Sequence, residues 1–209
     1  MAVNDRQARA EATRAQLLEA ARQVFADRGS KGATVAAITE PAATAHGTFY
    51  LYFRNKEDIL LEIARGAFED LYQHSFTPLD ELPDQPDLGV LRERIAGFLV
   101  AFAQHGPIWR SVFEAVLSSE AAEHQWLGLR RRFHDALAVR FRRLVDHGVI
   151  AEIDDVTVAH ALASMLEWHA FTGVVFDEPA PFDPAPAMIE TLAQIWERAL
   201  GLPGAAPPA

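Results

Sequence analysis

A short run of small, aromatic and hydroxyl-bearing side chains, HGTFYLYF from residue 46, has the composition of a segment that contacts DNA. Its first residues are small enough to let a helix N-terminus approach a duplex closely. Tyr50 and Tyr52 carry hydroxyls that can reach phosphates or base edges. Lys56 follows at the start of the next predicted helix, where its charge and the helix N-terminus can both meet a phosphate. The pattern predicts a protein surface that binds nucleic acid.

The elements around this run predict three short helices. Apolar residues at three- and four-residue spacing predict a first helix over residues 8–28, ended by Gly29. Thr34 can cap a second helix over residues 35–42, and the third begins at His46. Two phenylalanines in the third helix, four residues apart, would face the first: Phe49 and Phe53. Three short helices with a tight connection between the second and third are typical of a helix-turn-helix unit. The alternative is a small helical bundle with tyrosines on its surface.

The periodicity is helical almost throughout the rest of the chain. Asn55 can cap a fourth helix that runs to about Phe76, and Pro107 can open a later one. Further helices are predicted over residues 88–104, 120–147, 156–175 and 187–200. Proline-rich segments at 77–87 and 177–186 read as linkers or loops. The sequence therefore predicts an all-α protein of about nine helices.

Composition and charge exclude several classes of protein. With 209 residues and no cysteine, the chain can hold no disulfide, thiolate zinc site or iron–sulfur cluster. The net charge of −10 is unevenly divided: residues 1–65 carry a net +1 and residues 66–209 a net −11. Only the N-terminal third can approach DNA without strong repulsion. The N-terminus is charged and the sequence has no long apolar run, so we expect neither a secretion signal nor a membrane span. A cytoplasmic location is therefore expected.

The stretch from Thr13 to Ile63, with the segment HGTFYLYFRNKEDIL, resembles the DNA-binding domain of TetR-family transcriptional regulators. The resemblance implies a homodimer that reads a palindromic operator in double-stranded DNA, and an effector pocket in a C-terminal helical bundle. It predicts a DNA-binding domain over residues 1–55, a ligand-binding and dimerisation domain over 56–203 and a disordered tail over 204–209. The residues it assigns to DNA binding are Thr34, Thr44, His46, Gly47, Thr48, Tyr50, Tyr52 and Lys56.

The turn departs from the family pattern at neighbouring positions. Pro41 falls inside the expected second helix, where it loses a backbone hydrogen bond. Ala43 replaces the turn glycine, Thr44 an apolar residue and Ala45 a capping serine. We expect the second helix to end early or kink, and reversal of Pro41 and Ala43 to raise thermal stability.

Large apolar residues of the C-terminal region predict core packing and, collectively, a cavity for a small apolar or aromatic effector. Glu114 and Glu167 lie in apolar surroundings, where ion pairing is favoured over contact with a ligand. Helices 156–175 and 187–200 carry apolar stripes that suit dimerisation. The predicted pocket residues are Phe102, Trp109, Phe113, Trp126, Phe133, Met165, Trp168 and Thr172.

Common enzyme signatures are missing from the sequence, including phosphate-binding glycine loops, HExxH and GxSxG. The histidines have no metal-site spacing, and neither a metal nor a cofactor is expected. The sequence predicts a ligand-responsive regulator of transcription, most simply a homodimeric repressor released by its effector. The alternative is a helical ligand-binding protein whose altered turn has weakened or abolished DNA binding.

Overall fold

The computed structural model describes residues 2–75, 88–176 and 185–202, and these contain only helices and the turns that join them. The predicted linker at 77–87, most of the loop at 177–186 and the tail at 204–209 lie outside the described residues. The helices in these ranges are α1 Ala2–Gly32, α2 Val35–Thr39, α3 His46–Phe49, α4 Lys56–Ser75, α5 Leu88–Gln104, α6 Gly106–Val116, α7 Glu120–Asp146, α8 Asp155–Val175 and α9 Pro186–Leu200.

The helices form two compact units. The first contains Met1–Gly66 and Gly106–Leu127, and the second contains Ala67–His105 and Gly128–Ala209. The first unit thus adds α6 and the start of α7 to the three predicted N-terminal helices. The functional boundary drawn from the sequence at residue 55 remains a prediction, because packing alone does not say which residues bind DNA or ligand.

The core of the first unit forms around the apolar stripe of α1, as the periodicity predicts. Phe25 of α1, Ile38 of α2, Phe49 of α3 and Ile59 of α4 are all at most 1% exposed. Helix α6 packs on α1, where the buried Ser111 hydroxyl donates to the Phe25 carbonyl over 2.9 Å. Because α3 has only four residues, its position depends on this packing rather than on its own helical stability.

The turn between α2 and α3 closes despite its unusual sequence. α2 ends at Thr39, three residues before the predicted end, since Pro41 has no N–H to donate to Ala37. The amide of Thr44 still donates to the Thr39 carbonyl over 3.1 Å, and that of Ala43 to Glu40 over 3.1 Å. These bonds form a Schellman motif, whose penultimate residue takes a left-handed conformation. Ala43 adopts it with φ 50°, at the position where the family pattern has glycine.

The end of α1 is fixed by contacts that the sequence analysis did not predict. The helix continues past Gly29, which breaks its regular path with φ 64°. A Cβ atom there would lie 2.9 Å from the Glu114 carboxylate, so glycine avoids a clash as well as backbone strain. The Lys56 ammonium donates to the carbonyls of Ser30 and Ala33 over 2.7 and 3.1 Å. Lys56 therefore joins the start of α4 to the last turn of α1.

In the second unit, the small-residue stripe of α8 forms the core. Its members are at most 6% exposed: Ala159, Leu162, Ala163, Leu166 and Ala170. The helix is capped by Asp154, which accepts from the Thr157 amide over 3.0 Å. Bounds of the remaining helices lie within one or two residues of the sequence prediction. None of the helices in the described ranges has the length and apolar character needed to cross a membrane.

We predict that Ala43→Gly raises the free energy of unfolding by about 1 kcal/mol, because glycine adopts a left-handed conformation without a Cβ clash. The measurement is thermal or denaturant unfolding. Ala45→Gly is the matched control, since Ala45 is also exposed and has ordinary backbone angles of φ −69° and ψ 146°. It is expected to lower stability. Equal effects of both substitutions would contradict the strain assigned to Ala43.

We predict that Lys56→Met lowers the free energy of unfolding by about 1–3 kcal/mol, because two carbonyls at the end of α1 lose a charged donor. Lys31→Met is the control: this lysine is exposed on the same turn of α1. Chemical denaturation followed by tryptophan fluorescence measures both. Similar stabilities for the two variants would mean that the Lys56 contacts contribute nothing to the fold.

Candidate nucleic-acid interface

Helix α3 and the residues that follow it expose several side chains to solvent, while Phe49 and Phe53 are buried beneath them. Phe49 is fully buried, while the next two residues, Tyr50 and Leu51, are 52% and 80% exposed. The Phe49 ring contacts those of Tyr50 and Phe53, with centroid distances of 5.5 and 5.7 Å. Phe53 is 4% exposed, as its predicted inward orientation requires. One buried aromatic pair thus fixes a short segment whose opposite face is open to a partner.

The predicted base-reading residues lie together on this face. The rings of His46 and Tyr50 are in edge contact, 5.4 Å between centroids. Gly47 is exposed, and a Cβ there would meet no other atom within 4 Å, so the backbone of α3 is accessible at this point. Thr48 and Tyr52 are half-buried. The arrangement can offer two ring edges and the Tyr50 hydroxyl to the groove of a duplex.

Two of the three predicted threonines, Thr34 and Thr44, have different surroundings. The hydroxyl of Thr34 accepts from the Ala37 amide over 3.1 Å and caps α2, as the sequence predicts. Thr34 is exposed, so its second lone pair is accessible to a donor. The Thr44 hydroxyl is buried and has no hydrogen-bond partner in the described part of the chain. Because this hydroxyl is buried in the turn, it could form a hydrogen bond with DNA only after a local rearrangement of the turn.

Lys56 has a structural role as well as its predicted contact with phosphate. Two of its three ammonium protons reach the carbonyls of α1, which leaves one for another acceptor. The neighbouring Arg54 is 80% exposed and forms an ion pair with Asp58 over 2.9 Å. The hydrogen bond from Arg54 lowers the pKa of Asp58 below its ordinary value. Sequence reasoning missed Arg54, whose exposure at the edge of this face makes it a further candidate for a phosphate contact.

An ion-pair network connects α1 to α4 beneath the interface. Arg14 forms a 2.7 Å ion pair with Glu62, and its guanidinium lies 5.4 Å from the Phe53 ring centroid. Burial acts to raise the pKa of Glu62, but hydrogen bonds from Arg14 and Arg65 outweigh it and hold the pKa below the ordinary value. The carboxylate therefore stays ionised near neutral pH and keeps both arginines in place.

The predicted pocket residues are divided between the two units. In the first unit, Trp109 is 1% exposed and contacts Trp126 at 6.1 Å between ring centroids, and Phe113 is half-buried on the same helix as Trp109. The other five lie in the second unit: Phe102, Phe133, Met165, Trp168 and Thr172. Trp168 is 60% exposed, and Thr172 donates to the His169 carbonyl over 3.1 Å. Their grouping around one ligand stays a prediction.

The two carboxylates in apolar surroundings both have protein partners. Glu167, whose side chain is 12% exposed, accepts from Arg130 over 2.7 Å and lies 3.1 Å from His134. This confirms the predicted structural pairing. Glu114 accepts from the Lys31 amide over 3.3 Å, at the irregular end of α1. That backbone contact could not be inferred from helical spacing, since the two residues are 83 positions apart.

An open hollow of about 590 Å³ lies along the first turns of α7. None of the residues predicted for the effector pocket lines this hollow, whose lining residues are Glu120, Ala121, Glu123, His124, Gln125 and Leu127. In the ranges that the structure describes, no group of three or more His, Asp or Glu side chains is arranged to hold a metal ion.

Comparison with known proteins supports this account. Residues 17–63 match the model of the family described as bacterial regulatory proteins, tetR family. The transcriptional repressor KstR2 of Rhodococcus jostii is 30% identical over 109 residues, which cover 52% of this chain and 46% of that protein. The transcriptional regulator EthR of Mycolicibacterium smegmatis is 27% identical over 92% of this chain and 85% of that protein. Some curated relatives are matched over only a quarter to about half of their length.

A crystal structure described as that of a TetR-family transcriptional regulator from Mesorhizobium loti has the same fold. Its TM-score is 0.74, with 19% identity over 92% of this chain and 96% of that one. The family match covers the helices that carry the candidate interface, and the structural match extends to both units. These relatives are named as transcriptional regulators rather than enzymes. Residues 17–63 thus carry the sequence of the tetR family, and the chain as a whole has the fold of a TetR-family regulator.

Proposed function

We propose that this protein is a homodimeric repressor that reads a palindromic operator and is released from it by a small effector. The observation that carries the proposal is the exposed face formed by His46, Gly47 and Tyr50, which the buried Phe49 holds in a fixed orientation. Such a face suits the major groove, where base edges can be distinguished. A regulator that binds chromosomal operators would act in the cytoplasm.

The charge distribution supports DNA binding through the N-terminal helices alone. Residues 1–65 carry a net +1 in a chain of net −10. Phosphate contacts there would come from Lys56, from Tyr52 and from the exposed Arg54, while Thr34 would anchor the start of α2. With so small a positive charge, affinity for an operator must depend on base contacts and on two heads binding together more than on general attraction to polyanions.

Exposed apolar residues on α8 and α9 support a dimer. Val156 and Trp168 on α8 are 52% and 60% exposed, and Ile195 on α9 is 39% exposed. The small-residue stripe of α8 is already buried within the chain, so a second subunit would pack on these other faces. Twofold pairing would present two α3 helices to half-sites about one helical turn apart.

Release by an effector follows from linkage. α4 runs from the first unit into the second, so a ligand that favours one orientation of this helix must weaken any DNA complex that needs another. The aromatic residues assigned to the pocket favour an effector with a substantial apolar part. The alternative, a ligand-binding protein that has lost DNA binding, is favoured only by Pro41 and Ala43 in the turn.

We predict that the purified protein enriches a palindrome from random duplex DNA at near-physiological salt, because the turn retains its closing hydrogen bonds. Sequencing of the bound pool and titration of the enriched site measure this. Ala43→Gly, which relieves the strained turn, is the control and is expected to select the same palindrome. The proposal would be contradicted if the folded wild-type dimer and the equally folded Ala43→Gly variant both enriched no sequence. That result would favour the ligand-binding alternative.

We predict that Tyr50→Phe lowers affinity for the enriched palindrome by about tenfold, since it removes one hydroxyl from the groove-facing surface. Its unfolding temperature should not change, because the ring is half-exposed. Tyr52→Phe is the comparison: a phosphate contact predicts a similar loss on every DNA sequence, whereas loss of a base contact should reduce discrimination among sequences. Fluorescence anisotropy on specific and scrambled duplexes measures both effects. Unchanged binding by Tyr50→Phe would exclude its hydroxyl from the interface.

A further inference from the structure

Two arginines of the second unit lie close enough to repel each other and have no acidic partner among the residues that the structure describes. Arg94 lies one turn before Phe98 on α5, and Arg140 lies two turns after Phe133 on α7. The rings of Phe98 and Phe133 are in contact, with centroids 5.7 Å apart. Both arginines are half-buried. The contact between the helices therefore brings two cations to the same part of the unit.

Neither arginine has an acidic partner among residues 2–75, 88–176 and 185–202. The Nε atom of Arg94 is buried and makes no hydrogen bond there. Burial, together with repulsion from Arg94 and Arg143, lowers the pKa of Arg140 to about 10. Even so, the Arg140 guanidinium is charged near neutral pH, and an uncompensated charge away from water is unfavourable.

Three other arginines of this unit have acidic partners. Arg92 binds Glu190, Arg130 binds Glu167, and Arg142 binds Asp155 over 2.6 Å. Acids are not scarce, since residues 66–209 carry a net charge of −11. The unpaired state of Arg94 and Arg140 is thus a local feature of the part of the unit that the structure describes. Perturbed, unpaired ionisable groups are concentrated at sites that bind ligands.

We propose that Arg94 and Arg140 form an anion-binding site that takes a carboxylate or phosphate group of a small-molecule ligand. Guanidinium groups present planar pairs of donors that match the oxygens of both anions. The buried Nε of Arg94 gains the acceptor that it lacks. The proposal rests on the proposed function only in identifying this ligand with the effector, which then has an anionic group in addition to its apolar part.

The test uses the full-length protein with inorganic phosphate and with acetate, each compared with chloride at equal ionic strength. Calorimetric titration and thermal unfolding measure binding. We expect one of the two anions to bind and to raise the unfolding temperature, and which of them does so identifies the ligand group. Arg140→Gln and Arg94→Gln should each weaken that binding at least about tenfold. Arg131→Gln, which replaces an exposed arginine on α7, is the matched control and should bind as the wild type does.

A second readout separates an anion site from a structural role of these arginines. Without added anion, Arg140→Gln should unfold at a higher temperature than the wild type, because the substitution removes a buried charge and its repulsion by Arg94. A lower unfolding temperature would show that Arg140 has a stabilising partner in the chain and would overturn the proposal. So would a wild type that binds neither anion, or an Arg140→Gln variant that binds as well as Arg131→Gln.

Failure of this site is distinguishable from failure of the proposed function. Anion binding is measured without DNA, and operator binding is measured without added anion. The Arg94 and Arg140 variants should bind the enriched palindrome as the wild type does in the absence of anion, since both lie outside the first unit. A protein that binds the anion but no DNA would retain the site and lose only its assignment to an effector.

Discussion

The geometry of the candidate DNA-binding surface depends on one left-handed residue, Ala43. α3 has only four residues and cannot hold its own orientation, so the turn before it must do so. That turn closes through the bonds from Thr44 to Thr39 and from Ala43 to Glu40, which require Ala43 to take φ 50°. An alanine bears this conformation at a cost in stability that glycine would avoid. The packing of Phe49 into the core offsets the cost and completes the positioning of α3.

Much of the fold could be predicted from local sequence signals. Caps at Thr34 and Asn55 act within three residues of their partners, and the structure confirms both of them. The early end of α2 also follows from a local fact, the missing N–H of Pro41. What local spacing could not supply were contacts between distant segments. Lys56 with the end of α1, and Glu114 with Lys31, connect residues 23 to 83 positions apart.

The candidate site was predictable in part for the same reason. A short run of sequence contains His46, Gly47, Thr48 and Tyr50, and the four-residue spacing of His46 and Tyr50 brings their rings into contact. The pocket residues are scattered over four helices, and composition alone could not decide which are core, which are surface and which meet a ligand. Trp168 shows the difficulty, since helical periodicity predicts that it lies on α8 but its 60% exposure depends on packing that no local pattern encodes.

In the second unit, some charged side chains have an oppositely charged partner among the described residues and others do not. Glu167 has its charge matched by Arg130, whereas Arg94 and Arg140 have none of the described acids of the unit beside them. On the proposal made for Arg94 and Arg140, this difference separates charges that stabilise the fold from charges that bind a ligand. Both kinds of site can act together only if the two units are thermodynamically coupled.

The most direct test of the account is a hydroxyl-radical footprint of the full-length dimer on its enriched duplex. Two protected segments about one helical turn apart, related by the symmetry of the palindrome, would show two α3 helices placed as the closed turn requires. Protection that is uniform along the duplex, or no protection by a folded dimer, would contradict the claim that this altered turn still positions a DNA-reading helix.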